Sequence, residues 1–262
     1  MIEYPKFRHE ALDFLWLHCF SGPIKFYNAF NELENEETVW LRSFIANCIS
    51  KCSELLAKYA DIRYPVLIYL GDLYRYSWTL FGENEHDYDI SCDCYKKAFK
   101  LRRINGQPFN QLALICYKSD PWKAVYYFMR AIMMPKPFSL ALENISVLKN
   151  SNFTDGQQIA YKLITLVLSG FRFVISRTYN SFLFLSRIKF EEIRRDFDQL
   201  FDKLLHEGKN DEMLEITYIL SMLTIFTIGD DKGILLSKSV IKILEKVAEY
   251  FFKLIYTVQT II

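Results

Sequence analysis

Leu70-Gly71-x-x-Tyr74 with Ser91-x-x-x-Tyr95-x-x-Ala98, and then Leu112-Ala113-x-x-Cys116 with Ala124-x-x-x-Phe128-x-x-Ala131, are two copies of one spacing inside Tyr69–Phe138. On a helix, positions three, four and seven apart share a face, so each copy describes two helices meeting through small residues with an aromatic beside them. Ala98 and Ala131 lie 33 positions apart, a repeat length typical of stacked helix pairs. Nothing else in the chain repeats.

The spacing resembles the tetratricopeptide pattern, in which a large residue, Leu, a small residue and an aromatic mark one helix and small-x3-aromatic-x2-small marks its antiparallel partner. It predicts helices over 66–80 and 88–103 for the first pair and over 109–117 and 122–133 for the second. Pro65 and Pro108 suit first helical turns, and Asn105-Gly106 suits a helix end. Gly82-Glu83-Asn84-Glu85-His86-Asp87 reads as a turn longer than the repeat requires, and Pro135-Lys136-Pro137 as a break before a helix over 138–148.

Upstream, Phe14, Leu15, Trp16, Cys19, Phe20, Ile24, Tyr27 and Phe30 predict a helix or helix pair, bent near Ser21-Gly22-Pro23, that buries a wide aromatic face. The acidic run 32–37 reads as a solvated turn and first helical turn. The next helix, over 39–59, is expected to bury Trp40, Phe44, Cys48, Cys52, Leu55 and Leu56. Downstream, 152–156 reads as a turn-rich joint, followed by helices over 158–175, 182–205, 212–228 and 234–262. The chain is thus expected to be all-α, a helical-repeat domain over 1–150 and a further helical region over 151–262. The apolar end of the last helix, 250–258, is expected to mean either that the helical region is incomplete here or that a partner helix covers it.

Composition agrees with a helical chain. Of 262 residues 51% are apolar and 24% charged, while Gly (9) and Pro (7) are scarce. The formal net charge of +1 excludes strong global attraction to nucleic acid but leaves room for a local basic patch. MIEYPKFRHE carries no apolar leader, and the apolar runs 163–175 and 216–228 fall short of the roughly 20 residues of a membrane span. The expected setting is cytoplasmic and nuclear, with the six cysteines reduced.

No catalytic, metal or cofactor site is expected. His9, His18, His86 and His206 share no ligand spacing, the cysteines form no CxxC pair, and no glycine-rich phosphate loop occurs. Asp87 and Asp89 fall in the expected long turn, where solvation keeps them ordinary.

Binding groups are more promising. The first helix of each pair lines the concave face of a helical-repeat stack. The position four after its small residue is Arg75 in one copy, with Asp72 one turn back, and Tyr117 in the other, with Lys118 adjacent; Asn110 shares that face. Guanidinium, amide and ammonium groups on one face suit a phosphoryl or carboxylate group, although Arg75 is equally suited to a structural bridge with Asp72. Lys96, Lys97, Lys100, Arg102 and Arg103 form a second candidate, a basic patch for nucleic acid, that is also compatible with a solvated helix end.

Leu70-Gly71-Asp72-Leu73-Tyr74-Arg75-Tyr76, Asn105 to Ala113 and Ala124 to Arg130 resemble a known family, the SMG nonsense-mediated-decay adaptors, also called the ever-shorter-telomeres family. Leu15-Trp16-x-x-Cys19-Phe20 is similar to its first-helix motif, and Leu163–Phe184 to its later helices. Tyr88 and the run Ala124–Arg130 look most like the branch whose full-length members also carry a PIN-type endonuclease. The resemblance implies a 14-3-3-like domain of tetratricopeptide helices followed by a helical hairpin region, recruited to the phosphorylated tail of the UPF helicase. It identifies Arg75 with the family's phosphate-binding arginine. The lysine that completes that pocket in one branch aligns with Ser21. Alternative expectations are binding of telomerase RNA or telomeric single-stranded DNA by the basic patch, and a scaffold that pairs with a second chain as a homo- or heterodimer.

Overall fold

The computed structural model describes residues 5–29, 35–82 and 85–175, with scattered positions from 192 to 245. The described elements are helical: α1 (Pro5–Phe14), a π-helical turn (Leu15–Ser21), α2 (Gly22–Asn28), α3 (Asn35–Lys58), α4 (Arg63–Phe81), α5 (Glu85–Leu101), α6 (Gln107–Cys116), α7 (Pro121–Met133), α8 (Ala141–Asn144) running into a 3-10 turn (Ile145–Asn150), and α9 (Asp155–Ile175). Among the described residues the nearest thing to a sheet is one isolated bridge between Asn105 and Lys136. The fold is an all-α helical array.

Its local logic is legible. Asp120 accepts the Lys123 N–H at 2.9 Å just ahead of Pro121, the first residue of α7. Thr154 and Gln157 exchange hydrogen bonds of 3.2 Å, a capping box that starts α9 three residues earlier than periodicity suggests. Gly82 ends α4 in the left-handed conformation, φ 65°.

Contacts divide the chain into two compact units. The first comprises Met1–Ile115 with Met134–Phe138, the second Cys116–Met133 with Ser139–Ile262. In the first, α4 is the core helix, with Val66, Ile68 and Leu73 at 0–1% exposure, and it packs against α3 and α5. In the second, α7 packs on α8 and the 3-10 turn and buries Ala124, Val125, Phe128, Met129 and Ala131 completely.

Several expectations are corrected. The N-terminal aromatic face is not buried as a whole: Phe20 and Ile24 are, but Phe14 is 62% exposed and Cys19 is exposed. The cause is the π-turn, whose i→i+5 bonds break the 3.6-residue period that the expectation assumed. On α3 the buried stripe is Leu41, Ile45, Cys48 and Cys52, whereas Trp40 is 45% exposed and rests on Phe44 and Tyr27. A strict four-residue spacing runs ahead of a 3.6-residue helix by about 40° per step, so the outermost member leaves the core. The long turn at 82–87 is shorter, because α5 begins at Glu85. Glu85 and Asp87 sit in its first turn, and Asp87 accepts the Ser77 hydroxyl at 2.6 Å, so Asp87 and Asp89 belong to a helix and not to a solvated loop. The helix expected over 138–148 is a single α-turn followed by the 3-10 turn. Of the later helices, the one expected over 158–175 is α9, and 211–212 and 214–219 are helical within the one expected over 212–228; of those over 182–205 and 234–262 only scattered positions are described, and the apolar run 250–258 lies outside the described residues.

Candidate functional site

The site grows from the contact of α4 with α5. Gly71 leaves room for the Tyr95 ring: a Cβ at position 71 would stand 2.5 Å from Tyr95 Cε1. Ser91, one turn before Tyr95 on α5, donates to the Gly71 carbonyl at 2.7 Å. The small-x3-aromatic spacing thus carries two hydroxyls into the helix interface, and Tyr95, fully buried, aims its own at Asp72 (2.7 Å to Oδ1).

Asp72 is the centre of a buried polar network. Its Oδ1 also accepts Gln111 Nε2 of α6 at 2.6 Å and Arg75 Nη2 at 3.2 Å. Asn110, 1% exposed, donates Nδ2 to Gln111 Oε1 at 2.9 Å. Three helices are thereby tied to one carboxylate, which makes a buried charge tolerable.

Arg75 is held less completely. Its side chain is 16% exposed, its guanidinium lies 4.6 Å from the centre of the Tyr76 ring, and its Nε is buried without an acceptor. Burial works against its charge, yet the Asp72 carboxylate, with Tyr95 and Tyr76, holds its pKa above the ordinary arginine range. Burial, then Asp72, push the Tyr95 hydroxyl far above the usual phenol value, so it stays a donor. Asp72 takes its two short bonds from Tyr95 and Gln111 and a longer one from Arg75, and the buried Nε of the guanidinium is left without an acceptor. An anionic oxygen is the acceptor such a fork matches.

A second contact supports α4 at Tyr69, two residues before Gly71. Trp16 of the π-turn stacks on Tyr69 (4.4 Å, 2°), whose hydroxyl donates to Asp13 Oδ1 at 2.7 Å. Burial and the Asp13 hydrogen bond push the Tyr69 hydroxyl far up. This is where the Leu15-Trp16 motif acts.

Arg75 and Asn110 therefore enter one network, Asn110 through its interior and not through open surface. Tyr117 and Lys118 fall just past α6 in the second unit, the Lys118 ammonium 5.9 Å from the Tyr117 ring. Ser21 is buried at 1%. Lys96, Lys97, Lys100, Arg102 and Arg103 are all exposed; Lys97 pairs with Asp93 at 2.6 Å, and Arg102 lies 4.5 Å over the Tyr64 ring. Sequence reasoning missed Gln111 and Tyr95 as network members. The available signal was a glutamine and a tyrosine hydroxyl at positions whose helical facing is inward.

Among the described residues no three His, Cys, Asp or Glu side chains gather as a metal site, and no helix is long and apolar enough to cross a membrane.

Residues 91–258 match the family model described as the Est1 DNA/RNA binding domain. The chain is 34% identical over 87 residues to a nonsense-mediated mRNA decay factor SMG7-like protein of Arabidopsis thaliana, covering 32% of this chain and 10% of that protein. It is 31% identical over 98 residues to the telomerase-binding protein EST1A of Danio rerio, covering 37% of this chain and 6% of that protein. The aligned stretches span a tenth or less of each relative's length. Identities this close to one another mark the family and not a branch of it.

Proposed function

This chain belongs to the Est1 DNA/RNA-binding domain family, and we propose that it is a non-catalytic adaptor domain that binds a phosphorylated peptide of a decay factor, the UPF helicase tail being the first candidate. In this proposal it serves nonsense-mediated mRNA decay in cytoplasm and nucleus. Residues 1–150 form the 14-3-3-like binding part and 151–262 a helical continuation. The names of the relatives support a decay or telomerase setting.

The observation that carries the proposal is the guanidinium of Arg75, whose buried Nε has no acceptor and whose bond to Asp72 is 3.2 Å long. A phosphoryl oxygen would complete the fork, and Tyr117 and Lys118 are further candidates for peptide contact. The buried Ser21, in place of a second cation, makes Arg75 the principal charge.

Fluorescence anisotropy with phosphorylated and unphosphorylated helicase-tail peptides tests it. Arg75→Gln is expected to weaken the phosphopeptide by about tenfold to a hundredfold, the worth of one hydrogen bond to a charged group, and to leave the unphosphorylated peptide unchanged. Equal binding of the phosphopeptide by wild type and variant would remove Arg75 from the site.

A second reading, an interface for telomerase RNA or single-stranded telomeric DNA, rests on the exposure of Lys96, Lys97, Lys100, Arg102 and Arg103 and on the family's description. It requires affinity to fall steeply with salt, because phosphate contacts release counterions. A flat salt dependence overturns it.

A further inference from the structure

A groove of about 480 Å³ opens between α3, α4 and α5 in the first unit. Leu56 and Ala57 of α3, Leu67 of α4 and Leu101 of α5 give it an apolar surface, and Arg63, Lys97 and Lys100 stand around it. Lys97, Lys100 and Leu101 share one face of α5 by their spacing of three and four. Leu101 is 54% exposed, an unusual place for leucine on the most basic turn of the chain.

We propose that this groove docks an acidic amphipathic helix from a partner protein, its apolar residues on the leucines and its carboxylates on Arg63, Lys97 and Lys100. Charge complementarity selects the occupant. Among the described residues no carboxylate lines the groove and no ion pair engages Arg63 or Lys100. Lys97 does pair with Asp93, but that pair is exposed, 60% and 57%, and an exposed pair contributes little enough to be exchanged for a partner's carboxylate.

The apolar lining decides between protein and nucleic acid. Single strands are held by aromatic platforms on which bases stack. This groove is lined by aliphatic side chains, and the nearby Tyr64 ring is already covered by Arg102. Leucine-lined grooves with flanking cations fit a helix that presents apolar anchors at i, i+4 and i+7.

The test is fluorescence anisotropy on the full chain with a fluorescein-labelled helical peptide that carries leucines at i, i+4 and i+7 and glutamates between them, beside the same peptide with glutamine for glutamate. The glutamate peptide is expected to bind and the glutamine peptide to bind at least tenfold more weakly. The double variant Arg63→Glu/Lys100→Glu should lose tenfold or more, whereas Lys96→Glu, on the same helix but outside the groove, and Arg75→Gln should lose nothing. If circular dichroism shows the double variant unfolded, Leu101→Ser, at an exposed position, takes its place with the same expected loss. Absence of peptide binding, or binding that the groove variants leave unchanged, overturns the proposal. Displacement of the peptide by oligouridylate at lower concentration than by unlabelled peptide would assign the groove to nucleic acid and overturn it too.

Discussion

In their second helices the two copies of the spacing differ by two oxygen atoms. Ser91, Tyr95 and Ala98 of α5 correspond in the pattern to Ala124, Phe128 and Ala131 of α7, and all six are completely buried. Only the first copy brings hydroxyls inside, where they bond the Gly71 carbonyl and the Asp72 carboxylate. The residues matching Asp72 and Arg75 in the second copy are Leu114 and Tyr117, so neither a carboxylate nor a guanidinium stands there. In the first copy the buried ion pair draws further donors from two neighbouring helices, Tyr95 on α5 and Gln111 on α6. The repeat that carries charge is the one equipped to hold it.

The strongest way to break the comparison is to empty the apolar copy. Phe128→Ala is expected to destabilise the chain by about 3–5 kcal/mol, as for other fully buried phenylalanines, read from urea denaturation. Next come exchanges between the copies. Tyr95→Phe removes a donor from Asp72, and Phe128→Tyr buries a hydroxyl in an apolar site; each should cost about 1–3 kcal/mol. If Phe128→Tyr were neutral, the copies would not differ in the way described. Gly71→Ala belongs to the same range, about 1–3 kcal/mol, because the Tyr95 ring would have to move. Smaller still is Ser91→Ala, about 0.5–1.5 kcal/mol for one hydrogen bond.

The last prediction concerns pH. Burial pushes the thiols of Cys48 and Cys94 up to about 11 and of Cys52 up to about 12, and the Tyr64 hydroxyl up to about 12, all in the first unit. A group whose pKa is raised on folding stabilises the fold fully below its unfolded value and loses that contribution as pH rises through the folded one. Stability should thus hold up to about pH 9 and fall between pH 9 and 12, followed by thermal melts monitored by circular dichroism. In the native state at pH 8, maleimide should modify the exposed Cys19 faster than Cys48 or Cys52.

Much of this was legible in the sequence. The helices α4 to α7 follow from spacing with ends correct to within a few residues, because small residues, prolines and Asn-Gly act locally. The i,i+3 relation of Asp72 and Arg75 is local too, and their pairing was foreseeable. Gln111 and Tyr95 were not: their bonds to Asp72 span 39 and 23 residues, and periodicity tells which way a side chain faces but not whose atom it meets. The N-terminal aromatics failed differently, since one π-turn shifts every later position relative to the stripe.

The chain's return at Met134–Phe138 carries a practical consequence. Gly106 donates its N–H to the Lys136 carbonyl at 2.9 Å, and Lys136 its own to the Ile104 carbonyl at 2.8 Å, so two backbone bonds clasp the loop after α5. A recombinant fragment ending at Ile115 would leave those groups without their partners just where Asn105 and Gly106 lead into the helix that supplies Asn110 and Gln111. Extending such a fragment to Phe138 keeps the clasp, and with it the anchored end of the Asp72 network.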